Sequence, residues 1–185
     1  MKLFLTILML SVVNLTQAAP YSVVQQDKSD VTFVSKQMNV PVEGNFKRFT
    51  AQISLDTDKP EAGLARIEID LNSIDAGSAE ANDEVKGKTW FNTREFPKAL
   101  FVSSSVKKLG NGQFETTGKL SIKGKTLDVR APFTMKQIKD VLVVDGIFPL
   151  KRLDYDIGSG IWRDTSVVAD EVQVRFHFLI NLTKK

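Results

Sequence analysis

Residues 86–103, with the sequence KGKTWFNTREFPKALFVS, divide at Pro97 into two segments of different pattern. Before Pro97, Trp90 and Phe91 are grouped as in a short helix or turn. After it, apolar residues alternate as in a strand, and a proline permits a strand to begin but does not let a helix continue. We therefore predict one short helix near residues 83–92 whose aromatic rings cover an apolar part of a β-structure. The alternative is that these rings belong to an ordinary filled core.

The rest of the chain has the pattern of an antiparallel β-protein. Residues 65–71 alternate strictly between apolar and charged side chains, and residues 172–180 alternate over a longer span. Turn signals typical of hairpins stand at 110–112 and 123–125. About eight strands with no helix between successive strands predict a sandwich or a barrel. Twelve Phe against two Tyr favour a barrel that encloses one apolar ligand, without excluding the sandwich.

Composition and charge narrow the class of function. The formal net charge is +3 and the lysines are interleaved with acidic residues, which does not indicate nucleic-acid binding. The chain has no Cys and a single His, His177, so it offers no thiol nucleophile, no thiolate metal site and no His pair. His177 falls in an alternating strand, where we expect a strand residue and not a member of a catalytic triad. We therefore predict no catalytic residue, no metal and no cofactor, and we expect a protein that is not an enzyme.

The N-terminus has the pattern of an export signal. Lys2 is followed by an apolar run over 3–13 and by the small-x-small pattern Thr16-Gln17-Ala18. The apolar run is too short for a transmembrane helix. We predict a signal peptide over residues 1–18, a single domain over residues 19–185, and a periplasmic location, with secretion as the alternative.

Short motifs follow one another in an order and spacing that are specific only when taken together. They are Ser29-Asp30-Val31-Thr32-Phe33; Gly44, Phe46 and Phe49; Ile69-Asp70-Leu71-Asn72-Ser73-Ile74-Asp75; Trp90-Phe91; Phe96-Pro97; Phe101 and Ser103; Gly118, Leu120, Ile122, Gly124 and Thr126; and Arg152 with Asp154-Tyr155-Asp156-Ile157-Gly158. In these motifs the chain resembles the YceI-like family, the periplasmic lipocalin-like polyisoprenoid-binding proteins, over essentially the whole mature chain.

The resemblance implies an all-β fold, an elongated antiparallel lipocalin-like β-barrel with a long apolar tunnel. The tunnel is expected to hold an isoprenoid, either a polyprenyl or a quinone-type lipid, as carrier or buffer. By strand phase and by resemblance we expect Trp90 and Phe91 to close one end and Trp162 to border the mouth. The other expected wall residues are Phe33, Phe46, Phe49, Ile67, Ile69, Phe101, Phe133, Phe148 and Phe176.

Several alternatives stay open at this point. The same barrel could hold a fatty acid or fatty amide, and a filled barrel would indicate a structural or stress-related interaction protein. A head group could bind at a cluster formed by Arg152, Asp154, Asp156, Arg163 and Asp164. A surface ion-pair network, or one that fixes the loop, is the preferred interpretation of this cluster; Lys36 and Arg48 are further head-group candidates. No motif for a protein partner is visible, and the oligomeric state, a homodimer included, is open.

Overall fold

The computed structural model describes residues 21–183, in which one curled antiparallel sheet makes up most of the fold. The predicted signal peptide of the chain, residues 1–18, lies outside these described residues. The strands are β1 Tyr21–Val24, β2 Asp30–Gln37, β3 Val40–Phe46, β4 Phe49–Ser54, β5 Leu64–Asp70, β6 Ile74–Asp75, β7 Lys98–Gly110, β8 Gln113–Ile122, β9 Lys125–Ile138, β10 Val141–Lys151 and β11 Glu171–Leu182.

The strands pair in the order β4-β5-β7-β8-β9-β10-β11-β2-β3-β6, and β1 pairs with β11. Tyr21 of β1 also exchanges two backbone hydrogen bonds with Leu55, one residue beyond β4, at 2.8 and 3.0 Å. The first strand thereby connects the two halves of the curled sheet. The predicted all-β, lipocalin-like class is confirmed, with eleven strands where the sequence indicated about eight.

Within the described part of the chain, the single α-helix, α1, spans Ala79–Lys86, so the prediction of a helix near residues 83–92 placed it too late. The helix begins earlier because the Ser78 hydroxyl accepts a hydrogen bond from the backbone N–H of Ala81 at 3.1 Å, as an N-cap does. It ends before Gly87, and Trp90 and Phe91 lie in the turns that follow. Within residues 21–183, no helix combines the length and apolar character needed to cross a bilayer.

Alternation along the strands gives the curled sheet an apolar inner face. On β10, for example, Leu142, Val144 and Leu150 are buried, whereas Ile147 is 52% exposed on the outer face. The buried residues form two clusters, one centred on Phe178 and Ile180 and the other on strand ends near α1. Such alternation is what a sheet with one buried face requires, and it positions the cavities described next.

Candidate ligand-binding cavity

Two cavities lie one beyond the other inside the curled sheet. The cavity nearer α1, which we call the outer cavity, has a volume of about 540 Å³, and the inner cavity has a volume of about 120 Å³. Six residues line both cavities, and each comes from a different strand. This six-residue ring consists of Val31, Ile69, Ala99, Leu120, Phe148 and Val174.

The strand register explains why the ring separates the two cavities. Ile69 lies directly opposite Ala99 on the neighbouring strand, and Phe148 lies directly opposite Val174. On β11, Phe176 lies two residues after Val174 and lines the inner cavity, whereas Val172 lies two residues before it and lines the outer cavity. Since side chains of one face recur every second residue, β8, β10 and β11 pass from one cavity to the other through their ring residues.

Three phenylalanine rings pack closely against glycines of neighbouring strands. A Cβ built on Gly44 would come within 2.2 Å of the Phe33 ring, and one built on Gly146 within 2.1 Å of the Phe176 ring. A Cβ built on Gly118 would likewise come within 2.6 Å of the Phe101 ring. The absence of a side chain at each glycine leaves room for the ring from the neighbouring strand.

The mouth of the outer cavity lies between α1 and the segment that contains Trp162. The indole N–H of Trp162 donates a hydrogen bond to Glu84 Oε1 at 2.8 Å, and the Trp162 ring lies 5.5 Å from the Trp90 ring. The carbonyl of Thr89 accepts from the backbone N–H of Gly158 at 2.9 Å and of Ser159 at 2.7 Å. The turns after α1 are thus fastened to the loop on the opposite side of the mouth.

The hydrogen bond between Trp162 and Glu84 gives a test of this fastening. We expect Glu84→Ala to raise the dissociation rate of a bound apolar chain about two- to twelvefold, because one partly exposed hydrogen bond contributes roughly 0.5–1.5 kcal/mol. Stopped-flow fluorescence after rapid mixing with empty vesicles measures this rate. The matched control is Asp83→Ala, at the exposed neighbouring position. Equal rates in both variants would show that the bond does not hold the mouth.

Arg152 connects the cavity wall to the loop that follows it. The side chain is only 1% exposed, and its guanidinium donates five hydrogen bonds, all of them to backbone carbonyls. The acceptors and distances are Ala169 at 3.0 Å, Ile157 at 2.8 Å, Gly158 at 3.2 Å, Trp162 at 2.6 Å and Val168 at 2.7 Å.

The charge of Arg152 is held without an ion pair in the described part of the chain. Burial lowers the pKa of its guanidinium below the usual range, and the nearby Asp170 carboxylate opposes this shift. The guanidinium carbon also lies 5.5 Å from the centre of the Trp90 ring, within the range of a cation–π contact. Since all five N–H groups have acceptors, Arg152 has no free donor for a ligand.

The remaining charged side chains that line the outer cavity are both acidic, Glu80 and Glu84. Hydrogen bonds from its own backbone N–H and from the Ser78 hydroxyl lower the pKa of Glu80 below its usual range, so this carboxylate is ionised at neutral pH. Two uncharged polar side chains, Ser35 and Gln37, also line the outer cavity, as do the indole groups of Trp90 and Trp162. The mouth therefore carries negative charge and hydrogen-bonding groups, together with a buried cation whose donors are occupied.

Eleven of the twelve residues predicted to line a tunnel border one of the two cavities. The outer cavity is lined by Phe33, Phe46, Trp90, Phe91 and Trp162, the inner cavity by Ile67, Phe101, Phe133 and Phe176, and both by Ile69 and Phe148. Phe49 borders neither cavity; its ring packs 5.8 Å from that of Phe178. This placement describes the wall, and contact of these residues with a ligand remains a prediction.

The other members of the predicted head-group cluster lie outside the lining of the outer cavity. Asp156 pairs with Lys125 at 2.8 Å and with Arg163 at 4.0 Å, and Asp164 accepts hydrogen bonds from Ser166. Asp154 is exposed. The expected ion-pair network thus exists around Asp156, but Arg152 fixes the loop through carbonyl groups.

The two further head-group candidates also lie away from the lining. Arg48 donates to Asp70 at 2.8 and 2.9 Å, and Lys36 is exposed. Neither borders the cavities described above.

Sequence reasoning missed most of the six-residue ring and all three glycines beneath the phenylalanines. Gly118 and Gly146 occupy inward-facing positions of their strands, between Thr116 and Leu120 and between Val144 and Phe148. A glycine in the inward phase of a strand is a usable signal, because it marks close approach of another group. Its partner ring, however, becomes evident only from the strand register.

Tyr155 is a buried residue that lines neither cavity. It is 2% exposed, and its hydroxyl has no hydrogen-bond partner among the described residues. Burial, with a further contribution from the Asp154 carboxylate, raises the pKa of Tyr155 to about 12. The folded protein therefore binds more protons than the unfolded chain between pH 10 and 12, so stability present below pH 10 is lost as the pH rises to 12.

We expect Tyr155→Phe to reduce this alkaline loss of stability by up to about 3 kcal/mol, since the pKa of Tyr155 rises to about 12 in the folded protein. At pH 7 the same variant should be neutral or stabilising by about 1 kcal/mol, since it removes an unpaired buried hydroxyl. Urea unfolding at pH 7, 9 and 12 measures both effects. An unchanged alkaline loss, or marked destabilisation at pH 7, would contradict the burial of an unpaired hydroxyl.

Together, the curled antiparallel sheet and its apolar interior define a lipocalin-like protein. Residues 22–180 match the sequence profile of the family described as the YceI-like domain. The chain belongs to this YceI-like domain family.

Similarity to solved structures agrees with this assignment. BcnA of Burkholderia cenocepacia is 47% identical, with a TM-score of 0.83, over 84% of this chain and 98% of that chain. A polyisoprenoid-binding domain from Saccharophagus degradans, implicated in plant cell wall breakdown, has a TM-score of 0.70 over 90% of this chain and 100% of that one. At 20% identity, it shows the fold alone.

Among curated proteins, the UPF0312 protein of Shewanella denitrificans is 39% identical over 88 residues. The match covers 48% of this chain and 46% of that relative. The chain thus spans about half the length of the curated relatives it matches.

Proposed function

We propose that this protein binds a long isoprenoid chain inside the curled sheet and acts as a lipid-binding protein, not as an enzyme. The observation that carries the proposal is the 540 Å³ outer cavity with its largely apolar lining. Burying each methylene contributes about 0.8 kcal/mol, so a polyprenyl chain has ample driving force even after the cost of ordering it. Membership of a family with a polyisoprenoid-binding structural relative supports the same class of ligand.

The polar groups at the mouth favour a neutral head group, such as an alcohol or a quinone. A pyrophosphate needs two or more cations with free donors. Among residues 21–183, the single cation that lines the outer cavity is Arg152, whose donors are all occupied, and Glu80 and Glu84 would repel a phosphate group. Ser35 and Gln37 can instead exchange hydrogen bonds with an uncharged oxygen.

The two tryptophans give a direct test, since both of the chain's Trp residues line the outer cavity. Delipidated protein is titrated with geranylgeraniol, and its intrinsic fluorescence is followed. We expect saturable binding, and at least about tenfold weaker binding of geranylgeranyl pyrophosphate, because like charges meet at the mouth. Absence of binding by any prenyl compound would contradict the isoprenoid proposal. If a fatty amide bound more tightly than the prenyl compounds, the cavity would still be the binding site, but the ligand would be an acyl chain and not an isoprenoid.

As carrier or buffer, the protein would act in the periplasm after removal of residues 1–18. This part of the proposal rests on the charged and apolar pattern that ends at Ala18. Fractionation of cells by osmotic shock, with intact mass analysis of the released protein, tests it. We expect a chain that begins at Ala19 in the periplasmic fraction. Recovery of the uncleaved chain with the cytoplasmic fraction would contradict it.

A further inference from the structure

The inner cavity has an almost entirely apolar lining. Of the residues that line it, only Thr116 has a polar side chain, and its hydroxyl donates to the Ser105 carbonyl at 3.1 Å. An apolar cavity of about 150 Å³ stays dry and accommodates benzene. A cavity of about 120 Å³ therefore has room for about five carbon atoms of an apolar chain, roughly one isoprene unit.

The six-residue ring lies between this space and the outer cavity. By the same measure, the outer cavity of about 540 Å³ holds about 20 carbon atoms. Ala99 is the smallest member of the ring and is 6% exposed. A larger side chain at this position would project between the two cavities, because Ala99 lines both of them.

Gly146 also affects the size of the inner cavity, because it leaves room for the ring of Phe176. The three nearest heavy atoms to a Cβ at this position all belong to the ring of Phe176, at 2.1, 2.6 and 2.7 Å. At Gly44 and Gly118, by contrast, a Cβ would also meet a backbone carbonyl oxygen. Adding a methyl group at Gly146 would therefore displace one phenyl ring, and Phe176 lines the inner cavity.

We propose that the inner cavity receives the end of the bound chain and sets the chain length that the protein prefers. Ala99 keeps the passage through the six-residue ring open, and Gly146 keeps Phe176 against the wall. The inference rests on the proposed function, since the chain is assumed to enter through the outer cavity. On this basis chain length is selected at the end of the cavity remote from Glu80 and Glu84, independently of the head group.

The test compares prenyl alcohols of increasing length on delipidated wild-type protein and two variants. For the wild type we expect affinity to rise from geranylgeraniol, with four isoprene units, to geranylfarnesol, with five, by at least about tenfold. We expect Ala99→Leu and Gly146→Ala to lose this gain, so that each variant binds geranylfarnesol no more tightly than geranylgeraniol. The matched control for added bulk is Ala62→Leu, at an exposed position.

Each outcome of this comparison has one interpretation. If the affinity of the wild type stops rising at four isoprene units, the inner cavity does not receive the chain and the inference is wrong. The inference is equally wrong if folded variants, checked by circular dichroism, keep the ratio of the two affinities seen in the wild type. If the wild type binds none of the alcohols, the proposed function itself fails.

Discussion

Phe148→Asp is expected to lower the affinity for an apolar chain by at least about a hundredfold. Phe148 lines both cavities, so every chain that passes the six-residue ring would contact the new carboxylate. Removing a carboxylate from water without a partner costs far more than the roughly 2–7 kcal/mol of a neutral polar group. Without ligand, water entering the cavities can solvate the charge, so we expect the variant to fold. Titration followed by tryptophan fluorescence measures the loss.

The neighbouring position on the same strand provides the matched control. Ile147 is 52% exposed on the outer face of β10, so Ile147→Asp adds the same charge outside the cavities. It should bind the chain within about twofold of the wild type, since an exposed charge remains solvated. Equal affinities for the two variants would place the ligand outside the curled sheet.

Arg152→Met is expected to destabilise the fold by roughly 3–5 kcal/mol. The substitution leaves five backbone carbonyls without their donor, all of them in residues 157–169. Part of this cost is offset, because burying a charge is itself unfavourable. Arg152→Lys should recover less than half of the loss, since an ammonium group cannot reproduce the planar arrangement of five donors. Chemical denaturation of the delipidated proteins measures both values.

The control for Arg152 is a nearby arginine in the same loop. Arg163 has a side chain that is 61% exposed and lies 4.0 Å from Asp156, so Arg163→Met should change stability by no more than about 0.5 kcal/mol. If Arg152→Met were as mild as this control, the loop would be held by other contacts, and the five hydrogen bonds would not be its main support.

Local pattern was sufficient to predict most of the strands and which side chains of a strand share one face. Ile67, Ile69 and Phe176 alternate with polar neighbours, and a period of two residues assigns them to one face of a strand. The start of α1 was predicted too late because Gly77 and Ser78 have the composition of a loop. Ser78 is in fact the N-cap, and Glu84 of the helix that follows accepts a hydrogen bond from Trp162 in the loop on the other side of the mouth.

Features that depend on strand register could not be read from the sequence. The six-residue ring takes one residue from each of six strands, and neighbours such as Ile69 and Ala99 are 30 positions apart in the chain. The role of Arg152 was hidden for a different reason. Its five acceptors are backbone carbonyls, which every residue possesses, so no side-chain pattern marks them.

The central claim, that the cavities hold a long isoprenoid, is tested most directly by native mass spectrometry of protein purified from its own cells without detergent. Organic extraction of the same sample identifies what is bound. We predict a stoichiometric adduct with isoprenoid fragmentation and a neutral head group, reduced by Phe148→Asp and retained by Ile147→Asp. A folded protein without any adduct, or one carrying a saturated acyl chain, would contradict the claim.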